Sequence, residues 1–343
     1  MSNTLSELVG NAALKKRLIT DIRKDSLSHA YIIEGRKGCG KHTVARMLAA
    51  AINCENRRED SDAIPCLKCE RCRKILEDLS QDVITVGREP GKATLGVEAV
   101  RAVRAEVATV PGEFDYKIYV IEDADTLTVQ AQNALLLTLE EPPSFVLFLL
   151  LCENARALLE TIRSRAPTLR VEPLPRETVS EHVLATDPRA RLVKNTAPSE
   201  FEAILTAADG SIGEAMRLLD PKERKAFLDT RETAESFVNA CAAHSSCGDL
   251  LAVLAAFPQK RPELIAELSV VMTAIRDLIV LSRADTPHLT FYTDREAAAE
   301  KAGAFSITTL TALFEAVDRA IDALLRNGSV SLTLINLATE ASA

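Results

Sequence analysis

The sequence contains no tryptophan, and aromatic residues make up only 4% of its 343 residues. It also has no excess of positive charge, because 49 acidic residues against 41 lysines and arginines give a net charge of −8 at pH 7. No basic stripe with interleaved aromatic residues is present, and such a stripe is the usual mark of a nucleic-acid-binding protein. The composition argues against a free-standing nucleic-acid binder. It is still compatible with a local basic patch on the surface.

Signals for membranes and export are missing as well. The longest apolar run of the C-terminal half, residues 264–281, is interrupted by Glu267, Arg276 and Asp277, so it is not a membrane span. Residues 1–4 show no signal or transit peptide. We therefore expect a cytoplasmic protein without membrane contact. In that reducing compartment, the eight cysteines are expected in metal or thiol roles rather than in disulfides.

The order of apolar segments predicts an α/β domain followed by helical domains. Residues 1–168 alternate strand-like and helix-like segments, which is typical of a parallel sheet. The predicted strands are residues 30–33, 83–86, 118–121 and 145–151. From there on the pattern is almost wholly helical. We predict a small helical domain over residues 169–221 and a second all-helical domain over 222–343, where apolar residues repeat at the spacing of a helix bundle.

A phosphate-binding loop is the most informative motif. The pattern G-x-x-x-x-G-K-[ST] begins at Gly35 and reaches Lys41, but His42 occupies the place of the magnesium-binding hydroxyl. Glycines allow backbone N–H groups to surround a phosphate, and Lys41 adds a positive charge. An apolar strand precedes the loop and a helical pattern follows it. The alternative is a plain glycine turn between a strand and a helix.

Thr43 does not replace the missing hydroxyl, because one helical residue rotates a side chain by about 100°. We therefore expect a loop that binds ATP or ADP weakly and places magnesium poorly. The predicted nucleotide-binding residues of this loop are Gly35, Gly38, Cys39, Gly40, Lys41, His42 and Thr43.

A second motif consists of two acids at the end of an apolar strand. Glu122 and Asp123 directly follow the apolar residues 118–121. In P-loop ATPases an aspartate at such a strand end holds magnesium, and an adjacent glutamate orients water. The order is exchanged in this chain, so we interpret the pair as a degenerate Walker B motif. The alternative is a solvated acidic turn, since strand ends often carry acids.

Four cysteines form a compact cluster in the sequence. Cys54, Cys66, Cys69 and Cys72 have the spacing C-x11-C-x2-C-x2-C. Four thiolates at this density suit a closed tetrahedral zinc site, and no position is left open for catalysis. We predict one structural zinc ion in a module over residues 54–72. The alternative is four unconnected buried cysteines.

Together these stretches resemble the bacterial DNA polymerase III clamp-loader subunits, which are proteins of the AAA+ class. The four-cysteine insertion has the same location in that family. Residues 132–143, QNALLLTLEEPP, are similar to the family's N-A-L-L-K-T-L-E-E-P-P stretch, with Leu137 at the place of the usual lysine. Ser164, Arg165 and Ala166 resemble its S-R-C motif. The resemblance covers nearly the whole chain and implies a P-loop domain, a helical lid domain and a helical collar domain.

Within that family, the sequence resembles the delta-prime subunit more than the tau and gamma motor subunits. Motor subunits carry a P-loop serine or threonine, an Asp-Glu pair and a lid arginine. This chain has His42, the reversed acidic pair, and Gly213 at the place of the lid arginine. Residues 95–101, LGVEAVR, also resemble the I-G-V-D-x-I-R stretch of delta-prime.

The resemblance implies roles for four further residues. Val9 and Gly10 match the segment on the adenine side of the nucleotide, and Asn154 lies at the sensor-1 position or is an ordinary turn residue. Arg165 matches an arginine finger, which stabilises charge on the nucleotide of a neighbouring subunit. Without the resemblance, Arg165 would be interpreted as a paired surface arginine.

The implied function is that of a non-motor subunit, at most a weak ATPase and not itself a polymerase. Its implied partners are tau or gamma and delta subunits, and, through the complex, the sliding clamp and primed DNA. One alternative is an active motor subunit of the same assembly. Another, from a different class, is a zinc-containing P-loop phosphotransferase acting on a small metabolite.

Overall fold

The computed structural model describes residues 5, 8–57, 64–89, 91–284 and 287–342. The chain consists of two compact units. The first comprises Met1–Thr178 together with Ser211–Gly213, and the second comprises Val179–Gly210 and Glu214–Ala343. No helix in the described part of the chain has both the length and the apolarity needed to cross a membrane. The finer division at residues 168 and 221 stays a prediction, and residues 58–63 of the predicted metal module lie outside the described ranges.

A five-stranded parallel sheet forms the centre of the first unit. Its strands are β1 (Ala30–Glu34), β2 (Val83–Val86), β3 (Lys117–Ile121), β4 (Val146–Cys152) and β5 (Thr168–Arg170), and they lie in the order β2-β3-β4-β1-β5. The four predicted strands are present, and the α/β fold class is confirmed. The short edge strand β5 was not predicted. It pairs with β1 through Leu169 and Ile33.

Helices cover both faces of this sheet. They are α1 (Ala12–Arg23), α2 (Lys41–Ile52), α3 (Glu70–Leu76), α4 (Val97–Glu106), α5 (Val129–Glu140) and α6 (Glu160–Arg163). Alternate residues of each central strand enter different cores: Leu149 packs with apolar residues of α1, α2 and α3, while Phe148 packs with those of α4 and α5. Burial on both faces explains why β3 and β4 are continuous apolar runs.

All regular elements among the described residues of the second unit are helices. Its elements are α7 (Arg176–Thr186), which begins in the first unit, α8 (Pro188–Thr196), α9 (Pro198–Ala208), α10 (Ile212–Leu218), α11 (Pro221–Ala242), α12 (Cys247–Leu254), α13 (Arg261–Leu281), α14 (Arg295–Gly303), α15 (Ile307–Leu325) and α16 (Val330–Ala341). The apolar residues that repeat at helical spacing are fully buried on α13. On α15 they are buried at Leu310, Val317 and Leu324. Both sets contribute to one core within the chain.

Candidate functional site

The P-loop joins β1 to α2 at the carboxyl edge of the sheet. Gly38 and Gly40 have φ values of 73° and 100°, which side chains with a Cβ atom rarely adopt. The ammonium group of Lys41 donates hydrogen bonds to the carbonyl oxygens of Gly35 at 2.7 Å and Arg36 at 3.0 Å. Lys41 is thereby held across its own loop, and the role of this loop in binding phosphate stays a prediction.

His42 faces the acidic pair instead of carrying a magnesium-binding hydroxyl. Its Nδ1 atom lies 3.3 Å from Oε1 of Glu122. Asp123 directs its carboxylate to a different partner, Arg88, whose Nε and Nη2 atoms donate to the same oxygen at 3.1 and 2.7 Å. Each of the two predicted acids is therefore paired with a basic side chain of the chain itself.

Sequence reasoning missed Arg88. This residue lies in the loop after β2, 35 positions before Asp123, and no local motif links the two. The contact could have been predicted only from the knowledge that β2 and β3 are neighbours in the sheet. That pairing brings the loop after β2 to the acids at the end of β3.

Asn154 lies next to this edge, at the end of β4. Its side-chain oxygen accepts a hydrogen bond from the backbone N–H of Arg156 at 3.0 Å, which is the geometry of a turn-forming asparagine. Its own backbone N–H donates to the carboxylate of Asp125 at 3.3 Å, as does that of Glu153 at 3.0 Å. The side-chain oxygen of Asn154 is thus engaged locally, and Asp125 ties the turn after β3 to the turn after β4.

Position 213 lies directly against the P-loop. The hydroxyl of Ser211 donates to the carbonyl oxygen of Lys37 at 3.2 Å, and the backbone N–H of Gly213 donates to that of Gly38 at 3.0 Å. A Cβ atom added to Gly213 would lie 2.8 Å from the carbonyl oxygen of Gly38 and 3.0 Å from its Cα atom. The arrangement therefore leaves no room for an arginine at this position.

We expect Gly213→Ala to destabilise the first unit by about 1–3 kcal/mol, because the added methyl group collides with the P-loop backbone. Helix propensity alone would favour alanine by about 1 kcal/mol within α10. Thermal unfolding of the full chain measures the change. Gly303→Ala in α14 is the matched control, since no atom lies within 4 Å of a Cβ atom added there. Equal behaviour of the two variants would contradict the close packing of Gly213.

The N-terminal segment packs near the end of β5. Gly10 has a φ value of 63° and is so close to the side chain of Leu174 that any Cβ atom at position 10 would collide with it. The next residue, Asn11, accepts a hydrogen bond from the backbone N–H of Glu172 at 2.8 Å. Val9 precedes these contacts and is half-buried. The adenine-side role of Val9 and Gly10 stays a prediction.

Arg165 lies just after α6, and its guanidinium is accessible and fixed. Nη1 donates to the carbonyl oxygen of Thr161 at 3.0 Å, and Nη2 pairs with Oε1 of Glu140 at 3.0 Å. The side chain keeps 36% of its surface exposed. The pairing with Glu140, at the end of α5, could not be foreseen from the sequence. An arginine held in this way is presented to solvent in a defined position, which a finger requires.

The four cysteines of the predicted metal module converge. Their sulfur atoms all lie within 4.8 Å of one another, and a zinc tetrahedron with 2.3 Å bonds needs separations of about 3.8 Å. Backbone N–H groups point at three of the sulfurs: that of Cys66 at Cys54, that of Cys69 at Cys66 and that of Cys72 at Cys69, at 3.4–3.5 Å. Such donors stabilise thiolates.

The acidity of these thiols differs with their surroundings. Burial opposes ionisation of Cys66, but hydrogen bonds from the backbone of Lys68 and Cys69 and from neighbouring thiols outweigh it and lower the pKa to about 7. Burial raises the pKa of Cys72. A cation bound to the sulfurs would remove this cost by neutralising the thiolates. The donor set and its geometry fit a structural zinc ion, and the alternative of four unconnected cysteines is wrong.

A glycine loop with Lys41 after β1, an acid-tipped β3 and a parallel sheet covered by helices make the first unit an α/β fold of the P-loop type. Residues 10–175 match the family model described as DNA polymerase III, delta subunit. These residues, just under half of the chain, are therefore similar to the DNA polymerase III subunit family that the sequence resembles.

Two named relatives are similar to about three fifths of this chain. The chain is 32% identical over 203 residues to DNA polymerase III subunit delta' of Bacillus subtilis, covering 58% of this chain and 60% of that protein. It is 31% identical over 214 residues to subunit tau of the same organism, covering 62% of this chain and 37% of that protein. A solved structure of a DNA polymerase III gamma subunit-related protein from Thermotoga maritima aligns with 99% of this chain at 18% identity and a TM-score of 0.47.

Proposed function

We propose that this chain is a delta-prime-like, non-motor subunit of a DNA polymerase III clamp loader. In this role it assembles with tau or gamma and delta subunits, and the complex loads the sliding clamp onto primed DNA. The relatives named delta', tau and gamma support membership in such an assembly. Because the match spans 60% of the delta' relative and 37% of the tau relative, the activity and partners of the whole assembly are part of the proposal.

The observation that carries the non-motor role is the packing of Gly213 on the P-loop. A motor subunit needs positive charge from its lid to stabilise phosphoryl transfer, and a side chain at position 213 would collide with Gly38. His42 adds to this argument, because it supplies no hydroxyl for magnesium. We therefore infer that the chain holds ATP or ADP weakly in its P-loop and hydrolyses it poorly.

Arg165 supplies the second half of the proposed role. Its guanidinium is exposed and fixed by Thr161 and Glu140, while the chain's own acids are paired elsewhere. We infer that Arg165 acts on the nucleotide of a neighbouring motor subunit. Zinc, held by the four cysteines, has a structural part and takes no part in the chemistry.

An active motor subunit is the second candidate, since the glycines and Lys41 of the phosphate loop are preserved. Purified chain, assayed alone and after assembly with tau or gamma and delta subunits, separates the two. We expect turnover by the isolated chain to be about 100-fold or more below that of the assembly, because removal of a single charge-stabilising donor can cost that factor. Turnover by the isolated chain at the rate of the assembly would refute the non-motor role.

A further inference from the structure

Arg88 is the residue of the nucleotide site that neither the motifs nor the proposed function uses. Two of its nitrogens, Nε and Nη2, bind one carboxylate oxygen of Asp123, and its third, Nη1, donates to the carbonyl oxygen of Ala93 at 3.4 Å. The guanidinium is thus held from both sides, by a carboxylate and by the backbone of its own loop. An arginine side chain keeps its positive charge at every pH of interest, so Arg88 places a fixed positive charge beside Asp123.

Gly87 explains how Arg88 comes so close to the acids. A Cβ atom added at position 87 would lie 3.0 Å from Oε2 of Glu122. A side chain at position 87 would force that carboxylate to shift, so glycine lets the chain after β2 pass close to Glu122. Arg88 follows at the position where the loop crosses Asp123.

All three carboxylates after β3 are engaged within the chain. Glu122 faces His42, and Asp123 binds Arg88. Asp125 accepts hydrogen bonds from the two backbone N–H groups that directly follow β4. Magnesium needs octahedral oxygen ligands at about 2.0–2.1 Å and is usually held by one or two carboxylates together with phosphate oxygens. In the described site no hydroxyl-bearing residue directly follows Lys41, Glu122 at the strand end faces His42, and Asp123 already binds a guanidinium. The residues do not fit magnesium.

We propose that Arg88 is an internal counter-cation which neutralises Asp123 and takes the place of a divalent ion at the acidic pair. The P-loop then takes the phosphates of a nucleoside diphosphate or triphosphate without a divalent cation. The inference rests on the proposed function only for the assumption that the P-loop binds a nucleotide. It concerns the metal requirement of this chain, and it is independent of whether Arg165 acts on a neighbour.

The metal requirement can be measured directly with Mn²⁺, a paramagnetic substitute for Mg²⁺. Full-length chain, purified in the presence of zinc, is titrated with Mn²⁺, with and without millimolar ADP. Electron paramagnetic resonance reports the free ion, and ADP without protein gives the background. We expect the parent chain to take up no Mn²⁺ beyond this background. Arg88→Ala adds one uncompensated negative charge at the site, and we expect its Mn²⁺ affinity to rise at least about tenfold, since affinity for such cations follows ligand charge.

Two further variants control this experiment. Arg88→Lys retains the charge and should take up as little Mn²⁺ as the parent. Arg101→Ala removes another surface arginine of an ion pair, which binds Glu98 on α4, and should also behave as the parent. Uptake of about one tightly bound Mn²⁺ by the parent chain would overturn the proposal, even if a variant fails to fold. A folded Arg88→Ala variant with parental Mn²⁺ uptake would overturn it as well.

The proposed function fails separately. If replacing Arg165 has no effect on the assembled complex, the trans-acting role is refuted. The Mn²⁺ titration of the isolated chain would still test the role of Arg88. Conversely, a parent chain that takes up Mn²⁺ tightly but still fails to hydrolyse ATP would remove the role of Arg88 alone.

Discussion

Arg165→Ala is expected to lower ATP hydrolysis at the neighbouring motor site of the assembled loader by about 10³-fold. An arginine supplied from an adjacent subunit is worth 10³–10⁵ in rate in related phosphoryl-transfer enzymes, because it neutralises charge that develops on the transferred phosphoryl group. The guanidinium of Arg165 is partly exposed and is held by Thr161 and Glu140. A rapid-quench measurement of the first turnover, stimulated by clamp and primed DNA, resolves the loss of one site.

The same variant should fold normally. An exposed ion pair such as that of Arg165 with Glu140 contributes about 0–1 kcal/mol to stability. Arg165→Lys is the informative companion, since lysine retains the charge but lacks the planar fork, and we expect it to restore little activity. Lys41→Ala, in the chain's own P-loop, is the matched control and should leave hydrolysis by the assembly unchanged. If Lys41→Ala lowers hydrolysis and Arg165→Ala does not, the chain is a motor subunit.

Features encoded by adjacent residues were predictable from the sequence. The apolar runs that became β3 and β4, the glycine loop before α2, and the cysteine spacing each depend on contacts within a few positions or on burial from both sides. The sheet's parallel arrangement followed from the alternation of strands and helices. These signals were sufficient for the fold class and for the convergence of the four cysteines.

Features that depend on tertiary neighbours were not predictable. Strand β5 has three residues, of which only Leu169 is buried, so its apolar signal is too short. The pairs Arg88–Asp123 and Glu140–Arg165 join residues 35 and 25 positions apart, and no spacing rule links them. The sequence located Gly213 at the place of the lid arginine, but only the structure places it against the carbonyl oxygen of Gly38.

Loss of one cysteine of the metal cluster is expected to have the second large effect. Cys72→Ser should abolish binding of about one zinc ion per chain, because binding of structural zinc by such thiolate sets is worth about 10–16 kcal/mol at neutral pH and requires the complete set. Cys72 is fully buried at the start of α3, and it shares a core with Cys54, Ile75 and apolar residues of α2. Metal loss should therefore expose amide groups of α3 first and then loosen the core beneath the P-loop helix.

Elemental analysis of protein purified without chelator gives the zinc content, and amide hydrogen exchange locates the loss of order. Cys247→Ser is the matched control, because Cys247 is half-buried at the start of α12 and lies outside the cluster. It should keep its zinc and its exchange pattern. The prediction also includes a direction with pH. Thiols must lose their protons to bind the ion, so acidification should release zinc. The amide groups of the parent chain should then exchange like those of Cys72→Ser. Parent protein that contains no zinc, or a Cys72→Ser variant with parental protection of α3, would contradict a structural metal at this site.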